Sequence, residues 1–147
     1  MCSSDLGWMV LPDHLVRRAE ILQQNLFISA PTLSQIAATV ALGERDYAEQ
    51  QKAGYALNRA LLDEGLRQIG FETGSPSDGA FYAYAGISQF SNDSMSFCET
   101  MLEEAGVAAT PGIDFDRAGG NRYVRFSYAG KRETIEIALE RMRAFLR

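Results

Sequence analysis

The sequence predicts an α/β chain whose second half forms an α+β layer, and three observations carry that prediction. Apolar residues recur at helical spacing in five separate stretches. Tyr123–Tyr128 alternates apolar and polar residues as a half-buried strand does, and Ala80–Tyr84 has the aromatic content of another. Gly and Pro punctuate these segments at places where helices and strands end. The resulting order is strand, three helices, then strand, helix, strand, strand, helix. At 147 residues the chain has the length of one ordinary domain.

Leu6–Leu11 is a short apolar run closed by Pro12, which reads as a buried strand ending at a turn. Asp13 then caps a helix carrying Leu15, Ile21, Leu22 and Leu26, with Arg17 and Arg18 opposite. Pro31 breaks it, and Thr32 or Ser34 caps a second helix that reaches Leu42 before Gly43. Asp46–Ile69 is a long helical pattern marked by Tyr47, Leu57, Leu61, Leu62, Leu66 and Ile69, with Gly70 as its C-terminal cap.

Beyond Gly70 the character changes. Gly74–Gly79 is a turn cluster leading into the Ala80–Tyr84 strand. Ser94–Ala105 reads as a helix with Phe97, Met101 and Leu102 on one face and Gly106 as its stop. Val107–Thr110 is a brief strand ending at the Pro111-Gly112 turn pair. Ile135, Leu139, Met142 and Leu146 mark a closing amphipathic helix. The second half can bury a helix layer on one sheet face. The first half has one strand without an evident partner and a long helix that reads more as a connector than as a core, an asymmetry that fits a terminal piece of a larger protein.

Charge and composition exclude several functions. Fourteen basic against 19 acidic residues leave a net charge of −5, the wrong sign for a nucleic-acid or anionic-membrane surface. The uncharged stretch from Ile21 to Gly43 is too polar to span a bilayer. Two cysteines, Cys2 and Cys98, and one histidine make neither a disulfide framework nor a metal site. No secretory signal is evident, and a cytoplasmic location is expected. His14, Glu103, Glu104 and the glutamates of 133–140 read as solvated, and Cys98 as a small buried hydrophobe. Arg122, Arg132, Arg141, Arg143 and Arg147 read as surface.

Arg125 stands apart. It lies mid-strand, on the face shared with Tyr123 and Ser127 and opposite Val124, Phe126 and Tyr128. A guanidinium among apolar neighbours is costly to bury without a carboxylate partner, which its planar fork grips through paired hydrogen bonds. Two readings stay open: a structural ion pair with one of the chain's own carboxylates, or an anchor for a ligand carboxylate.

Five segments then occur in a telling order: Leu6-Gly-Trp-Met-Val-Leu-Pro12, Asn25-Leu-Phe-Ile-Ser-Ala-Pro31 with Gln35, Gly79-Ala-Phe-Tyr82, Pro111-Gly-Ile-Asp-Phe115 and Tyr123-Val-Arg-Phe-Ser-Tyr-Ala129. Together they resemble the C-terminal part of class I/II aminotransferases, the fold-type-I enzymes that use pyridoxal phosphate. The resemblance implies the C-terminal small domain of that fold at residues 71–147, a long connecting helix at 46–70, and a strand and helices from the end of the large cofactor-binding domain at 1–45. It implies an Arg125 that binds the substrate α-carboxylate, amino acid and 2-oxo acid substrates, and a homodimer in the full enzyme. The Asn25–Gln35 stretch resembles the family's helix break near cofactor and subunit interface. Gly79–Tyr82 resembles the strand leading toward the active site, where Tyr82 and Tyr84 either border the side-chain pocket or, by preference, pack the strand.

The family's Schiff-base lysine would precede Met1, and Asp5 stands at the usual position of a phosphate-binding arginine. An Asp there would repel the cofactor's phosphate. Lys52 and Lys131, the chain's two lysines, read as solvated residues that do not substitute. The implied reading is an aminotransferase fragment joined to unrelated residues at Leu6 and inactive as an isolated chain. The alternative is a non-catalytic carboxylate-binding or dimerisation module derived from the small domain.

Overall fold

The computed structural model describes residues 6–74 and 79–147. The chain divides into two units between Glu49 and Gln50. The first contains α1 (Asp13–Leu26) and α2 (Thr32–Ala41). Both helices start directly after a proline, Pro12 and Pro31, with no side-chain cap hydrogen bond. The expected caps at Asp13 and at Thr32 or Ser34 are therefore not made. Asp13 and Thr32 already lie inside the helix, where a side chain no longer reaches the N2 and N3 amides. Leu6–Leu11 forms no strand: the ladder pairs of the described chain all fall between residues 72 and 127. Without a ladder partner an apolar run has nothing to hold it extended.

The helix α3 (Arg45–Ile69) matches the expected span to within a residue. Its buried stripe is Asn58, Leu62, Gly65 and Leu66, whereas Tyr47 and Leu57 are exposed. Gly65 belongs to this stripe because Leu139 packs against it; a Cβ there would sit 2.5 Å from the leucine methyls. Gly70, at φ +113, ends the helix, and the amides of Gly70 and Phe71 both donate to Leu66 O.

A four-stranded antiparallel sheet follows, in the order β1-β2-β4-β3, with β1 (Glu72–Thr73), β2 (Tyr82–Gly86), β3 (Thr110–Pro111) and β4 (Tyr123–Ser127). The sequence missed β1, whose two residues are too few to show an alternating pattern. It placed β2 two residues early, because the ladder with β4 begins at Tyr82↔Ser127. It also overextended β3, which pairs only at Thr110 and Pro111. The turn cluster at Ser75–Asp78 lies outside the described residues.

Helix α4 spans Ser94–Ala105 as expected. Asp93 Oδ1 accepts from the amides of Met95 and Ser96, and Gly106 closes the helix at φ +65. Its buried face is Phe97, Cys98 and Met101, while Leu102 is exposed. Helix α5 (Arg132–Phe145) buries Ile135, Leu139 and Met142. These positions join Ala83, Ala85, Val124, Phe126 and Tyr128 in one core between the helices and a single sheet face.

Asn58 ties α3 to the far end of β4. Its amide donates to Tyr128 O at 3.1 Å and Gly130 O at 2.8 Å. These bonds satisfy backbone carbonyls where the ladder has ended.

Candidate carboxylate-binding site

Strand β4 is central, so its residues are held from both sides. Arg125 lies opposite Tyr84 of β2 and Thr110 of β3. Directly paired residues share a face. Tyr82, Tyr84, Thr110, Tyr123, Arg125 and Ser127 therefore occupy the face away from the core. The expected alternation holds: Val124, Phe126 and Tyr128 are buried, while Tyr123 and Arg125 are half-buried and Ser127 is exposed.

The Arg125 guanidinium lies against two aromatic rings. Its carbon lies 4.1 Å from the centroid of the Tyr82 ring and 4.1 Å from that of Phe115. Each contact draws on the attraction between a cation and an aromatic face, about 0.5–2 kcal/mol depending on desolvation. The ion pairs Arg17–Glu20, Arg67–Glu64 and Arg132–Glu136 each run along one helix, and none involves Arg125. Among the described residues no carboxylate pairs with it. With both contacts made to aromatic rings and no carboxylate beside it among the described residues, the guanidinium has N–H donors to offer an acceptor.

Phe115 reaches this position through a tightly folded loop. Past β3, Gly112–Asp114 forms a 3₁₀ turn, and Gly120–Arg122 forms another just before β4. The two turns touch through glycine backbones. A Cβ on Gly112 would lie 2.5 Å from Gly120 O and 2.6 Å from the Tyr84 hydroxyl, and a Cβ on Gly120 would collide with Gly112 O. Within the loop, the amides of Phe115 and Asp116 donate to Gly112 O, and that of Gly120 donates to Asp116 O. Asp116 Oδ1 also accepts from the Ala118 amide at 2.9 Å.

Tyr84 stacks on Tyr123 with ring centroids 5.0 Å apart and planes at 11°. Burial, then the nearby Asp116 carboxylate and Tyr123, hold the Tyr84 phenol above its ordinary pKa. It therefore stays a neutral donor and acceptor. Strand packing is the preferred expectation for Tyr82 and Tyr84, and both rings do pack against side chains of β4, Tyr82 on Arg125 and Tyr84 on Tyr123, on the face away from the core.

The fold thus brings together three of the five segments singled out in the sequence, through Tyr82, Phe115 and Arg125. The other predicted residues stand elsewhere. Lys52, Lys131 and His14 are exposed, and Asp5 lies outside the described residues. Cys98 is buried, with its thiol pushed up to about 11, chiefly by burial and then by Asp114. Arg122, Arg132, Arg141 and Arg147 are exposed as expected. Arg143 is half-buried and donates to Gln68 Oε1 at 2.9 Å, linking α5 to α3. In the first unit, the Asn25–Gln35 segment turns at Ile28, which has φ +66, and Gln35 Nε2 donates to Ala30 O at 2.8 Å. No group of potential metal ligands occurs among the described residues, and no helix there is long and apolar enough to cross a membrane.

Phe115 was not recognised from the sequence as a partner of Arg125. The Pro-Gly turn before it was visible, but the fold that swings it over β4 rests on Gly112 meeting Gly120, a contact no local pattern reveals.

Comparison with known proteins places the chain in a family. The family model for aminotransferase class I and II matches residues 5–142. The valine–pyruvate aminotransferase of Mycobacterium tuberculosis is 48% identical over 96% of this chain, and the aspartate aminotransferase of Pyrococcus abyssi is 36% identical over 97%. The crystal structure of an aminotransferase from M. tuberculosis superposes with a TM-score of 0.87 at 46% identity, covering 95% of this chain and 37% of that one. An aromatic aminotransferase from Pyrococcus horikoshii superposes with a TM-score of 0.81 at 36% identity, covering 99% and 39%. The chain spans 37% of the length of the two curated relatives.

Proposed function

The chain belongs to the class I and II aminotransferase family, and we propose that it serves as the C-terminal part of an amino acid aminotransferase in which Arg125 binds the substrate α-carboxylate. The carrying observation is the half-buried guanidinium, flanked by two rings and lacking a carboxylate of its own among the described residues. A planar fork held this way suits two-point capture of a carboxylate. Anchoring that end of an amino acid or 2-oxo acid limits the orientations of its reacting carbon, which is how a binding residue assists a reaction it does not perform.

Members of this family are generally dependent on pyridoxal phosphate, which supplies the electron sink for amino transfer. The described residues do not form a site for that group. Lys52 on α3 and Lys131 at the start of α5 are exposed, and neither belongs to the sheet face that carries Arg125. The share of the reaction assigned to this chain is therefore substrate binding and orientation. The attachment lysine, the phosphate clamp and the homodimeric cytoplasmic enzyme around them follow from family likeness, and the isolated chain is expected to be inactive. Mixing it with pyridoxal phosphate, reducing with borohydride and weighing it tests this; a stoichiometric adduct on Lys52 or Lys131 would overturn it.

Calorimetry with valine and pyruvate, the pair in the M. tuberculosis relative's name, tests the anchor. Removing one partner of a charged hydrogen-bonded pair should weaken binding by about tenfold or more in Arg125→Ala. Equal binding by both chains would sink the assignment. The exposure of both lysines also supports a second reading, a carboxylate-binding module without turnover. Transaminase activity of this chain alone would exclude that reading.

A further inference from the structure

We propose that Phe115 and Tyr82 are positioning residues that set the orientation of Arg125 before any ligand arrives. The inference rests on the reading of Arg125 as the carboxylate anchor, and goes beyond it to what makes the anchor competent. An arginine side chain has many rotamers, and fixing it on binding costs entropy that weakens capture. Here the guanidinium carbon lies 4.1 Å from the centroids of two rings carried by separate segments, Tyr82 and Phe115. Swinging the side chain away would break both contacts, so the guanidinium keeps one position from which its donors can meet a ligand.

The two rings have different supports. Tyr82 opens β2 in ladder register with Ser127, and its ring centroid is 4.3 Å from that of Phe81. Phe115 hangs from the loop closed by the Gly112–Gly120 contact and is half exposed, at 52%. An apolar ring is left this open at a thermodynamic cost, and shielding the arginine face is a use that offsets it. It also makes the position suitable for mutation, because little core packing depends on Phe115.

The test uses the full 147-residue chain labelled with ¹⁵N,¹³C-arginine, with pyruvate as probe. In the wild type, the Arg125 side-chain signals should be displaced upfield from those of the other arginines by the two ring currents, and its Nε–H should exchange slowly with water. In Phe115→Leu the displacement should roughly halve, exchange should quicken, and pyruvate should bind about three- to tenfold more weakly. Tyr82→Leu should behave likewise, and Tyr82→Phe, which keeps the ring, should restore both readouts. The backbone spectrum reports whether each variant keeps its fold, and Phe115→Leu carries the test if Tyr82→Leu does not. Unaltered arginine shifts in Phe115→Leu would overturn the proposal, as would altered shifts with unaltered pyruvate affinity. If wild-type Arg125 is held against the rings but pyruvate never perturbs it, the carboxylate-anchor reading fails and the proposal falls with it. If pyruvate binds through Arg125 but the Phe115→Leu chain binds as well, only the positioning role is lost.

Discussion

The units on either side of Glu49 treat the same kinds of residue in opposite ways. In Gln50–Arg147, helix and strand apolar positions meet in one core, with Leu66, Ala85, Ile87, Met101, Val124 and Met142 fully enclosed. In the described part of the first unit no residue is buried, and Trp8, Val10, Ile28 and Leu33 are each more than 80% exposed. Helix ends differ too. The second unit caps α4 with Asp93 and stops α3 and α4 on glycines, whereas α1 and α2 start after prolines and α1 gives way to a β-branched residue at positive φ. Amphipathic periodicity marks an apolar face; it does not supply what covers it.

The widest test of this difference sets Leu66→Ala against Leu33→Ala. The first leaves a cavity in the core and should cost about 2–5 kcal/mol of unfolding free energy. The second should stay within about 0.5 kcal/mol, as exposed substitutions do. Urea denaturation followed by circular dichroism reads both, and similar losses would break the contrast. Next in size, Asn58→Ala should cost about 2–3 kcal/mol, because it strands the carbonyls of Tyr128 and Gly130.

Alkaline titration sharpens the contrast through Cys98. Its thiol is raised in the folded chain from 9.0 to about 11. The unfolded chain therefore releases the proton first as pH rises. The associated stability is fully present below pH 9 and is lost between pH 9 and about 11. Cys98→Ala should flatten that part of the pH–stability curve, and an unchanged slope would contradict the buried-thiol account.

Smaller still is Ile28→Gly, which relieves a left-handed conformation worth about 1 kcal/mol. It should slow amide exchange at the end of α1 while leaving the second unit untouched. The smallest change is expected at Ser94, whose enclosed hydroxyl has no hydrogen-bond partner among the described residues. Ser94→Ala should be neutral or stabilising by up to about 1 kcal/mol; a clear loss of thermal stability would mean the hydroxyl has a partner.

Helices were more legible in the sequence than strands. Helices α3, α4 and α5 each carry an apolar stripe, and α3 and α4 a glycine stop as well, so their spans follow from their own residues. The strands β1 and β3 have two residues each, and their existence depends on β2 and β4 running alongside. Leu6–Leu11 shows the converse, with strand-like composition and no ladder. For the site, strand alternation put Arg125 on the open face, and family likeness suggested why. Its pairing stays open in the sequence because 19 carboxylates are available there, and only position separates those among the described residues from it.

What the sequence determined alone is therefore whatever depends on neighbours within a few residues: the helical stripes, the Gly70 and Gly106 stops, the sidedness of Tyr123–Tyr128 and the ordered motifs of the family. The tertiary structure decided what depends on residues far apart in the chain. It set Gly112 against Gly120, swung Phe115 over β4, and brought Tyr82 beneath Arg125 from 43 positions earlier in the chain. Periodicity is a property of the local backbone, whereas a guanidinium held against two rings exists only after separate segments have packed.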